Sequence, residues 1–244
     1  MKINNLKKAS NPFILIAVIL GTINLAYAQL ATWEVNTVNA GSTNPFSATT
    51  LASNVMSANL ALGSGVSAST AADTFGGSNF NQISLSNAIT GGDYISFSIS
   101  PSIGYSISIS SITFNSGVST TVTNFNGNLL SSVTGFTSSD SLLTYSFSAL
   151  GASAQSVTLS AISSLQNVTS AVEFRLYGFR DTSGTSTFRI RNLSGNDLVI
   201  NGTASVIPEP STFTFLAGTA VLGLAAFRRR SRRQQSPFRD ANSA

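Results

Sequence analysis

Through the middle of the chain, apolar residues recur at every second position, and serine, threonine, asparagine or glycine fills the positions between them. Residues 94–100 are the clearest case, because Ile95, Phe97 and Ile99 fall on one side and serines on the other. Successive side chains of a β-strand point to opposite faces, so this alternation predicts a strand with one buried face. Residues 105–109 repeat the pattern.

The alternation slips at Ser110 and Ser111 before it resumes at 112–114, which predicts a β-bulge. Residues 101–104 are predicted to form a hairpin turn between the two strands. Weaker alternation predicts further strands at 32–38, 82–89, 120–125, 143–147, 157–162, 172–179, 187–192 and 198–206. Residues 39–77 fit either edge strands or a long exposed loop, and their low charge favours edge strands over disorder.

Many short strands, separated by turn-forming residues and without a charged helical face, predict an all-β domain at residues 29–205. We expect an antiparallel β-sandwich of jelly-roll-like arrangement. A β-helix is the alternative, but it requires a repeat period that the sequence lacks. The chain has no cysteine. Packing and ladder hydrogen bonds must therefore hold the domain together, and about 180 residues are enough for a substantial core.

Residues 1–28 have the three parts of a secretory signal peptide. Three lysines within the first eight residues precede an apolar core at 13–25, and small residues follow at Ala26 and Ala28. This is an A-x-A cleavage site, which predicts that the mature chain begins at Gln29. We therefore expect export through the Sec translocon and cleavage by signal peptidase. An uncleaved anchor is the less favoured alternative, because the apolar core is short.

Residues 206–233 contain three further parts in a fixed order. Pro208, Glu209 and Pro210 are predicted to lie extended, because proline fixes φ and has no N–H. The uncharged run 211–227 has 17 residues. As a helix it would be about 25 Å long, the lower limit for crossing a bilayer. Five arginines follow, and such a cluster keeps its end of a membrane segment in the cytoplasm: Arg228, Arg229, Arg230, Arg232 and Arg233.

This order of parts resembles the bacterial PEP-CTERM sorting signal. The resemblance implies that an exosortase, an integral-membrane processing enzyme, recognises the signal and removes it at the PEP motif. It also implies that the chain is held in the inner membrane by its C-terminal helix and then reaches the cell surface or extracellular matrix. The polar tail 234–244 is longer than such signals usually carry. A chain permanently anchored by the helix is the alternative. Segments 174–179, 188–192 and 198–204 loosely resemble the sandwich bodies of PEP-CTERM proteins without assigned activity.

The formal net charge of +4 describes the ends of the chain rather than its middle. Residues 29–207 carry four arginines against seven acidic residues, a balance of −3. Nucleic-acid binding requires clustered lysine and arginine, so we predict no nucleic-acid partner.

Catalytic chemistry is narrowly limited, because the chain contains neither histidine nor cysteine. This excludes Ser-His-Asp and Cys-His nucleophiles and the usual zinc and copper sites. A carboxylate-pair glycosidase stays formally open through Glu34 and Glu173. We predict no enzyme and no cofactor, although turn carboxylates also leave calcium open. The remaining acids stand singly beside turn residues: Asp73, Asp93, Asp140, Asp181 and Asp197.

These observations favour a structural or adhesive protein of the cell surface. A carbohydrate-binding module is the alternative, with extracellular polysaccharide as partner. If strands 172–179 and 187–192 are neighbours, Glu173 reaches an arginine that could also bind sugar hydroxyls, but a cross-strand ion pair is the simpler interpretation. The single tryptophan, Trp33, is predicted to fill the core rather than a sugar-binding face.

Overall fold

The computed structural model describes residues 28–118, 124–147 and 151–208, together with Leu222, Leu224, Arg228 and Arg229. The described residues between 28 and 208 form fifteen strands, two short helices and two 3₁₀ turns. The helices are α1 (Ala40–Thr43) and α2 (Leu85–Gly91), and the 3₁₀ turns are Ser132–Thr134 and Ser163–Leu165. The strands are β1 (Ala28–Trp33), β2 (Phe46–Ser47), β3 (Thr50–Leu51), β4 (Val55–Ser57), β5 (Asn59–Leu62), β6 (Ser67–Ala68), β7 (Thr74–Phe80), β8 (Tyr94–Pro101), β9 (Tyr105–Val118), β10 (Phe125–Ser131), β11 (Leu143–Phe147), β12 (Gly151–Thr158), β13 (Val172–Arg180), β14 (Ser186–Arg191) and β15 (Leu198–Val206).

The strands make two antiparallel sheets. Sheet I has the order β3-β1-β15-β9-β14-β7-β6, and β12 pairs with the opposite edge of β9. Sheet II has the order β11-β10-β13-β8-β5-β2, and β4 pairs with the end of β8. The long strand β9 organises sheet I, because β15 pairs with its first part and β14 with its last.

The inner faces of the two sheets pack against each other through aromatic and branched side chains. Trp33 of sheet I meets Phe97 of sheet II edge to face, with ring centroids 6.0 Å apart. Phe188 of sheet I stacks on Phe125 of sheet II at 5.2 Å. All four side chains are buried. Such pairs add about 0.5–1.5 kcal/mol each to the stabilisation from burial. The predicted all-β sandwich and the core position of Trp33 are confirmed.

The prediction for β9 and its bulge is confirmed in detail. Asn201 pairs with Ser111 and Gly202 pairs with Ile109, so Ser110 is the extra residue of the bulge. The strands predicted at 143–147 and 198–206 also have the bounds of β11 and β15.

The predicted hairpin at 101–104 is wrong. A turn does form there, since the Tyr105 N–H donates to the Ser102 carbonyl at 3.0 Å. However, β8 lies in sheet II and β9 in sheet I, so the turn connects the two sheets. Alternation fixes which face of a strand is buried but not its pairing partner. Both strands bury their apolar faces in one core, from opposite sides.

The strand predicted at 82–89 is also wrong, because α2 occupies most of it. Ser84 caps this helix by accepting the Asn87 N–H at 3.2 Å, and Gly92 ends it in the left-handed conformation with φ of 76°. The helix packs Ala88 against Tyr177 on the outer face of sheet II. The cap at Ser84 and the stop at Gly92 therefore make this segment a helix rather than a strand.

Other boundaries shift. The strand predicted at 32–38 is β1 and ends at Trp33, and the strand predicted at 157–162 is β12 and ends at Thr158. Of the strand predicted at 120–125, residues 120–123 lie outside the described residues. Within 39–77, short strands lie at or next to sheet edges, as the low charge of this segment indicated. The longer strand β7, whose start falls in this segment, is likewise next to the edge strand β6 of sheet I.

Candidate functional site

The sorting segment begins where the last strand ends. Val206, the final residue of β15, pairs with Tyr105 at the start of β9. The Ile207 N–H then donates to the Gly104 carbonyl at 2.8 Å, and Pro208 is exposed. The folded body therefore reaches Ile207, and the PEP motif follows directly.

The start of the described chain lies beside this exit. β1 is antiparallel to β15, with Ala28 opposite Gly202 and Gln29 opposite Asn201. Both Ala28 and Gln29 are exposed. Because the strands are antiparallel, the chain enters β1 at the end of the sheet where it leaves β15. Ala28 and Gln29 of the predicted signal-peptidase site therefore lie toward the same end of sheet I as the start of the sorting motif.

Most of the remaining predicted signal lies outside the described residues. This is true of Ala26, Glu209, Pro210, Arg230, Arg232 and Arg233. Leu222, Leu224, Arg228 and Arg229 are helical and exposed. In the part of the chain that the structure describes, none of the helices has both the length and the apolar character that a membrane crossing requires. The predicted span 211–227 falls almost entirely outside that part.

Glu173 does not pair with an arginine of a neighbouring strand, so that expectation is wrong. The strand holding Glu173 is in sheet II, whereas Arg189 and Arg191 are on β14 of sheet I. Glu173 instead accepts a hydrogen bond at 2.8 Å from Nε of Arg175, two residues along β13. Residues at this spacing share a strand face.

Aromatic rings surround Arg175 on the outer face of sheet II. Its guanidinium carbon lies 3.9 Å from the Phe136 ring centre and 4.4 Å from that of Tyr94. Its Nη1 donates to the Tyr177 hydroxyl at 3.3 Å. Burial acts to lower the pKa of Arg175, but the hydrogen bonds to Glu173 and Tyr177 outweigh it and raise that pKa. We call these five residues the Arg175 cluster.

Sequence reasoning missed the aromatic members of the Arg175 cluster, which come from separate segments. One signal was present: the outward positions of β8 hold serine except for the first, where Tyr94 stands. An aromatic residue in a serine series indicates that something covers that face.

The aspartates hold loops together. Asp197 is fully buried and accepts the N–H groups of Val35 at 2.8 Å and Leu193 at 3.1 Å. Asp93, also buried, accepts the Asn81 N–H at 3.2 Å. Burial raises the pKa of Asp93, although its backbone hydrogen bonds act to lower it.

The three remaining aspartates serve the same purpose in other loops. Asp73 accepts the Thr37 N–H at 2.7 Å. The side chains of Thr137 and Asn126 donate to Asp140 and Asp181 respectively.

The two glutamates considered for glycoside hydrolysis are not neighbours in a sheet. Glu34 follows β1 of sheet I, whereas Glu173 lies on β13 of sheet II. Burial, and then the charge of Asp197, raise the pKa of Glu34. Among the described residues, no three acidic side chains are grouped closely enough to hold a metal ion.

Comparison with known proteins identifies the C-terminal segment. Residues 206–230 match the family model described as the PEP-CTERM protein-sorting motif. No curated protein matches the chain. The match begins at the last residue of β15 and includes Pro208, Glu209, Pro210 and the arginines 228–230. The chain therefore carries a PEP-CTERM sorting signal, which implies exosortase-dependent sorting to the cell surface.

Proposed function

We propose that this chain is a non-catalytic exported protein that serves a structural or adhesive role at the cell surface or in the extracellular matrix. One observation carries the proposal: the sorting motif starts at Val206, the residue at which the last strand of the sandwich ends. Cleavage at the PEP motif would release the folded body with all fifteen described strands. The side chains of the body support a role without catalysis, because its aspartates are engaged in loops.

The proposed route has two membrane steps. The Sec translocon and signal peptidase first export the chain and free Gln29. The C-terminal helix 211–227 then holds it in the inner membrane until an exosortase cuts. Ala28 and Val206 lie toward the same end of sheet I, which supports this route because both membrane-associated segments would leave the body on the same side.

We also propose a jelly-roll-like arrangement for the body. In a jelly roll, connections pass repeatedly from one sheet to the other. The connections β7 to β8, β8 to β9, β11 to β12, β12 to β13 and β13 to β14 all change sheets.

Mass spectrometry of the chain recovered from its producing cells tests the sorting proposal. We expect the C-terminus to lie at or next to the PEP motif, with residues 213–227 absent. A variant with Pro208→Ala and Pro210→Ala is the control, and it should keep the C-terminal segment. If the unaltered chain also keeps residues 213–227, the sorting proposal fails and the permanently anchored protein takes its place.

Carbohydrate binding is a second candidate, and the Arg175 cluster favours it. Partly exposed aromatic rings beside a guanidinium and a carboxylate can stack on a sugar and bind its hydroxyls. Pull-down with extracellular polysaccharide tests this function. Binding should fall in Arg175→Ala and persist in Arg191→Ala, whose arginine lies on sheet I. Equal binding by both variants, or none by the unaltered chain, would exclude the Arg175 cluster as a sugar site.

A further inference from the structure

Three chain segments meet at the end of the body from which the sorting signal leaves. The turn Ser102–Gly104 is tied on one side to Asn54, whose carbonyl accepts the Ser102 N–H at 2.9 Å. On the other side its Gly104 carbonyl accepts the Ile207 N–H at 2.8 Å. We call this end, formed by residues 54–57, 101–105 and 205–208, the exit end.

The exit end presents large apolar side chains to solvent. Ile103, at the tip of the turn, is 93% exposed, and Met56 on β4 is 60% exposed. Val206 and Ile207, where the chain leaves, are 65% and 40% exposed. Single exposed apolar residues are common on protein surfaces and need no explanation. These four, however, are carried by three segments that backbone hydrogen bonds hold at one end.

Up to Pro208, the segments of the exit end carry no ionic side chain, and Glu209 of the PEP motif is the first to follow. The stretches that supply the exit end, residues 35–72, 94–139 and 198–208, contain no lysine, arginine, aspartate or glutamate. Removing a charged group from water is costly, whereas removing apolar surface is favourable. The exit end can therefore enter an apolar medium without dehydrating a charge of its own segments.

The sorting signal brings the exit end close to such a medium. Pro208 is three residues before Ser211, where the predicted membrane segment begins. Three residues span at most about 11 Å even when fully extended. While residues 211–227 are in the bilayer, the exit end therefore lies within roughly 11 Å of the edge of the hydrocarbon core, which the interfacial region covers to a depth of about 5–8 Å on each side.

We propose that the exit end rests on the membrane, with Ile103, Met56, Val206 and Ile207 inserted into the interfacial region of the outward-facing leaflet. This inference rests on the proposed sorting route. The contact would orient the body with the axis of β9 toward the bilayer. It would also hold the PEP motif at the depth at which an integral-membrane enzyme can cut it.

The chain is suited to a direct test, because it contains no cysteine. A single cysteine at Ile103→Cys is labelled with an environment-sensitive fluorophore in the full-length chain. The chain is reconstituted in vesicles of phosphatidylethanolamine and phosphatidylglycerol that contain a lipid-attached quencher. Ser183→Cys is the matched control, since Ser183 is exposed in the loop after β13, at the other end of the body. Vesicle flotation measures separately whether the chain is membrane-bound.

We expect quenching at position 103 to exceed that at position 183 at least threefold. Adding Met56→Ser, Val206→Ser and Ile207→Ser to Ile103→Cys should lower quenching to the level of position 183, while flotation is unchanged. If the chain floats but both positions are quenched equally, the exit-end contact is wrong and the sorting route stands. If the chain does not float, the membrane-held stage of the proposed route fails, and the contact fails with it.

Discussion

At the exit end, the turn between β8 and β9 is tied to its neighbours by the backbone bonds of Ser102 and Ile207. At the other end of β8 and β13, which we call the far end, charged side chains add to backbone bonds such as that from the Arg180 N–H to the Gln82 carbonyl at 2.8 Å. Asp93 accepts the Asn81 N–H, Asp181 accepts a hydrogen bond from the Asn126 side chain, and Nη1 of Arg180 donates to the Thr185 carbonyl at 3.2 Å. Backbone bonds leave side chains free to suit any medium, whereas carboxylates and guanidinium groups require water or partners. The far end therefore requires contact with water, whereas the exit end can contact either water or an apolar medium.

The core beneath the two ends also differs. Below the far end, Phe188 contacts Phe80, Phe125 and Tyr145 with ring centroids 5.2–6.0 Å apart. Toward the exit end the core is aliphatic and includes Ile99, Ile107 and Val172. Most large ring contacts therefore support the end that faces away from the proposed membrane contact.

The largest expected effect concerns the aromatic core of the far end. Phe188→Ala should lower the free energy of unfolding by about 3–5 kcal/mol, because it removes a fully buried ring and leaves a cavity. Urea unfolding followed by the fluorescence of Trp33, the only tryptophan, measures this loss. The control Ile107→Val should cost only about 0.5–1.5 kcal/mol. A loss in Phe188→Ala no larger than in the control would contradict this account of the core.

A smaller loss is expected at Asp93, which fixes the far end. Asp93→Ala removes a buried carboxylate and leaves the Asn81 N–H without its acceptor, which should cost about 1–3 kcal/mol. The same urea measurement applies. Asp140→Ala is the matched control, because Asp140 is exposed and should cost under about 0.5 kcal/mol. If the two variants lose equal stability, the far end does not depend on its buried carboxylate.

The raised pKa of Asp93 predicts a pH dependence of stability. The folded state holds the Asp93 proton more tightly than the unfolded state, whose pKa is about 4. The stabilisation linked to this proton is complete below about pH 4 and is lost as pH rises through the raised pKa. Unfolding free energies of the unaltered chain and of Asp93→Asn, measured from pH 3 to pH 8, test this.

The difference between these two chains isolates Asp93, because Glu34 also has a raised pKa and is present in both. We expect the unaltered chain to lose stability relative to Asp93→Asn as pH rises above about 4. A constant difference across the range would mean that Asp93 titrates alike in the folded and unfolded states.

The contrast between the ends also shows what the sequence could predict. Alternation identified β8, the bulge at Ser110 and the bounds of β15, because the burial of one strand face depends on residues that are close in the sequence. The pairing of strands is not local, which is why the turn after β8 was expected to form a hairpin. The PEP motif could also be predicted, because its residues are contiguous in the sequence. The Arg175 cluster could not, because it joins Tyr94 and Phe136 from distant segments. In residues 82–89, apolar positions fitted a strand, but the cap at Ser84 decided for a helix.

The smallest expected effect on stability is at the exit end itself. Ile103→Ser should change the free energy of unfolding by less than about 0.5 kcal/mol, because the side chain is 93% exposed and buries little apolar surface in the fold. Urea unfolding of Ile103→Ser beside Ser183→Ile, an exposed exchange in the opposite direction at the far end, measures this. A loss above about 1 kcal/mol would show that Ile103 supports the turn, and its exposure would then need no membrane. If Ile103→Ser leaves the free energy of unfolding unchanged, and the exit-end serine substitutions lower lipid quenching, then Ile103 contributes to membrane contact and not to the stability of the fold. Residues at the far end would then stabilise the fold, and apolar residues at the exit end would contact the membrane.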